Sequence, residues 1–251
     1  MTKNIILIIC IFLLFAYHFY LEHGFLKYFQ ETFQKACDRF YSRIDSIYYI
    51  NLEHRNDRKN DFLSNFSNED VQQKIRRVNA VYTKEDGAIG CLKSHILALE
   101  NAIENSKHPN EIFLICEDDL YIEDIFYCNK MLDWAMRTLP QWDVIMIAHN
   151  THVSIPTPYK TKNDEEMIQV LHSATGSGYL MHASYAPKLL KIYKRDIAEY
   201  ESTGVFKREY CNDVSWKELQ EKDKWYAFRP TVGIQRRSYS DIQKGVVDYG
   251  V

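Results

Sequence analysis

Apolar positions fall into three regimes along the chain. The first is a nearly unbroken run, Ile5 to Leu21 (IILIICIFLLFAYHFYL), whose only polar interruptions are Tyr17, His18 and Tyr20. As a helix at ~1.5 Å per residue it spans about 26 Å, close to the ~27 Å hydrocarbon thickness of an ER-type bilayer. Residues 1–21 are therefore expected to form one N-terminal membrane anchor. No small-x-small cleavage pattern follows the run, which favours an uncleaved anchor over a secretory signal. Its position at the start of the chain, with only Lys3 ahead, argues against a buried soluble helix.

The second regime, residues 22–44, carries Phe25, Tyr28, Phe29, Phe33, Ala36 and Phe40 at roughly helical spacing. It reads either as an amphipathic stem or as a first packing helix. In the third, residues 45–251, apolar runs alternate with helical patterns, as in an α/β domain. Strands are expected at Ser46–Ile50, Arg76–Val81, Glu111–Cys116, Asp143–Ala148 and around Tyr179–Met181. Helices are expected at Asn56–Phe66, Ala88–Asn105, Glu123–Leu139, Tyr185–Tyr193 and Val214–Gln220. Thr151–Lys162, with Pro156 and Pro158, reads as a loop. The run Ile112–Cys116 is apolar on both faces, as a strand inside a parallel sheet would be.

Composition narrows the class. With 46% hydrophobic and 26% charged residues among 251, the chain is an ordinary globular protein with a short appendage. A formal charge of −3 provides no positive field for phosphates, so nucleic acid is not an expected partner. Eighteen tyrosines and four tryptophans hint at a surface that stacks on rings. Outside the apolar run the cysteines stand at 37, 91, 116, 128 and 211, an odd set that excludes a dense disulfide framework. The basic residues Lys27, Lys35 and Arg39 beyond the anchor outnumber Lys3, but long folded domains translocate largely regardless of charge. The membrane face is thus open, a lumenal side of ER or Golgi type being weighed ahead of the cytosolic one. The sequon Asn65-Phe66-Ser67 would be used only on that side.

Candidate chemistry concentrates where the Ile112–Cys116 strand runs into Glu117-Asp118-Asp119. Three adjacent carboxylates in a desolvated cleft raise one another's pKa unless a cation neutralises them. Hard oxygen ligands suit Mg²⁺ or Mn²⁺, which complete their shells with substrate phosphates. Such an ion binds a nucleoside diphosphate and stabilises it as a leaving group. The competing reading of the triplet is a solvated turn.

Four stretches in order resemble glycosyltransferase family 25, the lipooligosaccharide and procollagen galactosyltransferase-like group. Ile50-Asn51-Leu52-Glu53-His54-Arg55-Asn56-Asp57-Arg58 is similar to the family's opening INL-x-x-R-x-x-R. Asp86-Gly87-Ala88-Ile89-Gly90-Cys91-Leu92-Lys93-Ser94-His95 resembles its G-E-I-G-C-x-x-S-H, with Ala88 where Glu is frequent. Cys116-Glu117-Asp118-Asp119 resembles the E-D-D after its central strand, and Ala174–Met181 followed by Ala186-Pro187-Lys188-Leu189-Leu190 resembles its glycine-tyrosine strand and A-x-x-L-L helix. A fainter likeness covers Asn212–Trp216, Gln235 and Ser240-Asp241-Ile242.

The resemblance implies a GT-A-like, Rossmann-type mixed sheet flanked by helices, a UDP-sugar donor, commonly UDP-galactose, a divalent ion often assigned as Mn²⁺, and inversion at the anomeric carbon. Carried over by position, Glu117 and Asp119 frame the metal site with Asp118, a donor contact, between them. Gly90 allows close approach at the start of a long helix whose N-terminus favours a diphosphate, Ser94 is a further donor candidate, and His95, one turn in, could donate to a phosphate, reading equally as a satisfied core histidine. Arg55 and Arg58, after the first strand, are candidates for charge-assisted contacts to the donor, and Asn51 for its base or ribose; both arginines also read as a solvated helix face. Inverting transfer needs a base apart from the metal, for which Asp213 is the candidate and Asp241 the reserve, Asp213 reading equally as a helix N-cap. Tyr179 and Trp216 are candidates to stack on an acceptor sugar, against the alternative of core packing. The acceptor would be a glycan, a lipooligosaccharide or a protein hydroxyl. Two other readings stand beside this one: a non-catalytic anchored sugar-binding or scaffold domain, and a metal-dependent phosphohydrolase.

Overall fold

The computed structural model describes residues 14, 17–21, 23–32, 35, 43–64, 69–84, 86–240 and 244–247. Most of the expected anchor, and Asp241, lie outside them. Among the described residues no helix is long and apolar enough to cross a membrane. Residues 23–32 of the stem are helical, with Phe25, Leu26 and Tyr28 exposed, so these side chains do not join the domain's core, whereas Ile44 at the stem's end is fully buried in it.

The domain is a mixed α/β sheet of six strands: β1 (Ser46–Asn51), β2 (Ile75–Asn79), β3 (Ile112–Glu117), β5 (Val144–Lys160), β6 (Glu166–His182) and β7 (Trp225–Arg229). Their spatial order is β2-β1-β3-β6-β5-β7. β1 pairs in parallel with β2 and β3, and β5 in parallel with β7, while β6 runs against β3 and β5. Five strands therefore point one way and β6 alone points back. The short β4 (Leu120–Tyr121) pairs with β8 (Ile234–Gln235) just beyond the end of β3, and β9 (Ser238–Ser240) pairs with β10 (Gly245–Val247).

Period-two alternation divides the sheet's faces between two cores. Tyr48, Ile50, Phe113 and Ile115 point to one, where helix α3 (Gly87–Asn105) supplies Leu92 and Leu99 and α5 (Ala186–Thr203) supplies Leu189 and Tyr193. Ile47, Tyr49, Leu114 and Cys116 point to the other, where α1 (Asn56–Ser64) supplies Phe62 and α4 (Ile125–Thr138) supplies Met131 and Leu132. One-turn helices complete the chain: α2 (Glu69–Gln72), α6 (Asn212–Ser215) and α7 (Lys217–Gln220). Asp86 caps α3, its carboxylate accepting from the Ile89 N–H at 3.3 Å, and Gly204 at φ 65° closes α5.

Four expectations are corrected. Of the segment read as a loop, Thr151–Lys162, all but the last two residues form the outer half of β5, a 17-residue strand paired with an equally long β6. Pro156 sits opposite Ile168 beside a register shift, a place where a missing N–H is tolerated. The helix after Pro187 runs on to Thr203, and β7 was not expected at all. Finally, Tyr179 and Trp216 are both 0% exposed. Trp216 meets Tyr179 edge-on at 5.4 Å and Trp225 at 5.3 Å, and its indole N–H donates to the Ser173 carbonyl at 2.9 Å. Neither ring presents a face on which an acceptor sugar could stack.

Trp216→Ala is expected to cost roughly 3–5 kcal/mol, as for a buried aromatic that also loses a hydrogen bond. Urea denaturation measures this. A ring acting as a surface platform would change stability by no more than about 0.5 kcal/mol.

Candidate functional site

The carboxyl ends of β1 and β3 lie side by side, the place where parallel sheets open a crevice. β3 ends at Glu117, and the Asp118 N–H still donates to the Ile50 carbonyl at 3.1 Å, so the acidic triplet starts before the chain has left the sheet. Asp118 and Asp119 are only 9% and 6% exposed. Two carboxylates in such a place need a cation, and α1 supplies one. Arg58 donates from Nη1 to Asp118 Oδ1 at 2.7 Å and lies 3.3 Å from Asp119 Oδ2. Its Nη2 donates to the Tyr239 carbonyl at 2.9 Å, which Arg55 also reaches at 3.2 Å. Arg55 is otherwise engaged with Asp57. The two arginines thus tie the C-terminal segment over the acidic strand end.

Asn51, expected to touch a base or ribose, is 1% exposed. Its amide donates to Asp118 Oδ2 at 2.6 Å and to the Arg55 carbonyl at 3.1 Å, and its Oδ1 accepts from Arg77 Nε at 3.0 Å. It is a strut behind Asp118, with no group left for a ligand. Ser94 is likewise internal: it donates to the Gly90 carbonyl at 2.7 Å and accepts from the Val81 N–H at 2.8 Å, fastening α3 to the chain after β2. A Cβ on Gly90 would stand 2.5 Å from the Val81 carbonyl oxygen, so glycine is needed there for close packing.

The opposite wall comes from α3, β6 and α6. His95 is fully buried, with Nδ1 3.1 Å from the Tyr179 hydroxyl and Nε2 3.3 Å from Glu117 Oε1. Cys91, one turn earlier, places Sγ 3.8 Å from the same oxygen and 3.4 Å from Asn212 Oδ1. Asp213 lies beside them. It does not cap α6; its Oδ2 accepts the N–H of Thr175, a non-glycine residue at φ 78°. That bond holds the chain where Gly176 approaches the site. A Cβ on Gly176 would stand 2.5 Å from Asn212 Nδ2 and 3.2 Å from Glu117 Oε1.

Burial and charge divide the acids. Burial chiefly, aided by the Glu117 charge, pushes the Asp119 carboxyl up to about 7. Burial also raises Asp118, against the pull of Arg58 and Asn51. Glu117 feels the same desolvation, but its hydrogen bond to His95 and the nearby positive charges hold it below the usual carboxylate range. Gln235 Nε2 donates to Asp119 Oδ2 at 3.2 Å, whereas Asp119 Oδ1 is buried with no hydrogen-bond partner among the described residues. An orphaned carboxylate oxygen beside a partly exposed Glu117 fits a hard divalent ion such as Mn²⁺ or Mg²⁺.

The structure thus brings Arg58, Asp118, Asp119, Glu117, His95 and Asp213 to one strand edge, turns Asn51 and Ser94 inward, and leaves Tyr179 and Trp216 in the core. Cys91 joins this group without having been singled out as a site residue in the sequence, where its spacing of four from His95 on a helix was the available signal.

No protein-family model matches the chain, and no curated protein matches it. Among solved structures it is similar to a 4-diphosphocytidyl-2C-methyl-D-erythritol synthase from Anaerococcus prevotii, at 10% identity and TM-score 0.35 over 73% of this chain and 71% of that one. A mannose-1-phosphate geranyltransferase from Thermus thermophilus aligns at 7% identity and TM-score 0.38 over 74% and 73%. A mannose-6-phosphate isomerase from Helicobacter pylori aligns at 11% and 0.35 over 84% and 86%. At these scores they fix neither fold nor activity, and the family 25 resemblance rests on the quoted residues alone.

The raised Asp119 gives a signed pH dependence. Its folded value of about 7 lies above the unfolded ~3.9, so the folded state holds the extra proton and stability falls as pH rises across that window, levelling off above it. Asp119→Asn removes this loss. Urea denaturation in chelator-treated buffer should show the Asn variant gaining on the wild type from pH 5 to pH 8, by on the order of 2–4 kcal/mol. A difference independent of pH would refute the assignment.

Proposed function

We propose that this protein is a divalent-metal-dependent inverting glycosyltransferase of the family 25 type. It would move a hexose, galactose first among the candidates, from a UDP-sugar to a hydroxyl of a glycan, lipooligosaccharide or protein. The observation that carries the reading is the buried, unpartnered Asp119 Oδ1 at the mouth of the central parallel strand pair. Supporting it is a sheet of five co-directional strands with one reversed, the arrangement expected of a GT-A-like domain.

In this reading Asp119 and Glu117 would hold Mn²⁺ or Mg²⁺, which when bound offsets the negative charge growing on the departing diphosphate. Arg58 lies against both aspartates, pulling against the burial that raises Asp118 and orienting it as a donor contact, while its guanidinium faces the same region of negative charge. His95, fixed by Tyr179, orients Glu117. Asp213 would accept the proton of the attacking hydroxyl, using the carboxylate oxygen not engaged by Thr175. The N-terminal apolar run would anchor the domain to a membrane, with the catalytic edge free to meet a membrane-bound acceptor.

The test uses the full chain in detergent with a panel of UDP-hexoses. Mn²⁺-dependent release of UDP is expected, and Asp119→Asn is expected to lower kcat by about 10²–10³ or more, as when a principal electrostatic contact to the leaving group is lost. Metal and UDP-sugar binding without any turnover would leave the non-catalytic sugar-binding reading. Neither binding nor turnover with any UDP-hexose would sink the proposal.

A further inference from the structure

Cys91 and His95 stand one turn apart on the same face of α3, the spacing at which two helical side chains can grip one ion. Both face Glu117 Oε1, His95 Nε2 at 3.3 Å and Cys91 Sγ at 3.8 Å, and the three donor atoms lie within 4.8 Å of one another. A tetrahedral ion with bonds of about 2.0–2.3 Å sets its ligand atoms roughly 3.3–3.6 Å apart. The trio is therefore within a few tenths of an ångström of that geometry along the two edges that meet at Glu117.

Two independent features point to an occupant. Asn212 is 6% exposed, yet its Nδ2 has no hydrogen-bond partner among the described residues. A Cβ on Gly176 would lie 2.5 Å from that Nδ2, 3.2 Å from Glu117 Oε1 and 3.4 Å from His95 Nε2, so the three atoms surround one small space that glycine leaves unfilled. The Tyr179 hydroxyl on His95 Nδ1 fixes the imidazole so that Nε2 faces this space, the outer-shell contact a ligating histidine requires.

We infer that Cys91, His95 and Glu117 form a binding site for a thiolate-seeking divalent ion, Zn²⁺ in chemical class. Its fourth position would be open to water or a substrate oxygen beside Asn212 Nδ2. A sulfur, a nitrogen and a single oxygen select Zn²⁺ over Mg²⁺ and Mn²⁺, which prefer all-oxygen shells. Binding displaces to solvent the Cys91 proton that the thiol otherwise donates to Asn212 Oδ1 at 3.4 Å, and Asn212 Nδ2 then has an oxygen bound at the fourth position to donate to. The site is separate in chemistry from the hard-ion position proposed at Asp119. Both contacts of the trio use Glu117 Oε1, so its other oxygen remains for the acid cluster.

The test titrates the full chain with Co²⁺ as a spectroscopic stand-in for Zn²⁺. A thiolate-to-cobalt charge-transfer band is expected, saturating at one equivalent, displaced by Zn²⁺ and not by Mg²⁺. Cys91→Ser should abolish it, His95→Gln should weaken binding tenfold or more, and Asp119→Asn should keep it. A wild-type protein without the band, or a folded Cys91→Ser variant with an undiminished one, overturns the inference. Should Cys91→Ser fail to fold, alkylation of Cys91 in the wild type, followed by peptide mass spectrometry, decides: Zn²⁺ should slow it at least tenfold, and an unchanged rate overturns the site. A band that persists in protein lacking UDP-hexose turnover would refute the transferase reading and leave this site standing.

Discussion

Everything at the strand edge depends on one buried guanidinium. Arg58 reaches from α1 across the end of β3 to touch Asp118 and Asp119 together, with its side chain 16% exposed and theirs 7% and 6%. Removing one partner of so buried a group costs about 3–5 kcal/mol, because the charges left behind have neither water nor partner. The arrangement explains how a central strand can end in three acids without unravelling. It also means that the cluster is neutralised in part by the protein itself, so that a bound cation adds to Arg58 and does not stand alone. The same guanidinium holds the Tyr239 carbonyl, and the Arg236 N–H donates to the Asp119 carbonyl at 2.8 Å. The C-terminal segment is thereby coupled to the acids. Gln235, Arg236 and Tyr239 thus all bond directly to the acids or to their guanidinium partner.

What was legible in the sequence follows from burial. β1, β3 and α3 are flanked on both sides by protein, so their apolar runs and periods were complete, and all three lie within a residue or so of expectation. The outer half of β5 runs through exposed and half-buried residues and two prolines, although the stretch of β6 it pairs with buries Met167, Ile168 and Val170 in the two cores. Strand pairing, a non-local interaction that leaves no local apolar pattern in β5, makes this segment a strand. β7 was missed for the converse reason. Trp225, Tyr226, Ala227 and Phe228 form too short an apolar run to separate strand from helix.

The aromatic surplus carried a second ambiguity. Composition hinted at a ring-binding surface, but Tyr179, Trp216, Trp225 and Tyr185 form a series of edge-to-face contacts at 5.3–6.1 Å inside one core. Each indole N–H finds an acceptor there, Trp216 at Ser173 O and Trp225 at the Tyr185 hydroxyl. Sequence counts the rings and cannot tell which face they turn to. The acidic triplet was legible because it interrupts an apolar strand. Its partners were not, since Arg58, Asn51 and Gln235 come from three separate elements that only topology brings together.

Glu117 marks the boundary between two chemistries. On one side lie Asp118, Asp119 and Arg58, all hard oxygen and fixed charge; on the other lie a thiol, an imidazole and a buried amide. Desolvation alone would raise all three carboxyls, yet it raises only the aspartates, because His95 and its neighbours hold Glu117 down. At neutral pH the triplet is therefore divided into an ionised Glu117, partly open to solvent, and an Asp119 poised near its midpoint. A ligand that brings positive charge to this edge draws the proton from Asp119, while Glu117 needs no such change to bind. Gly176, held in place through Thr175 and Asp213, keeps the space between the two sides clear. The wall that carries the candidate base and the wall that carries the acids are thus set by the same short stretch of β6.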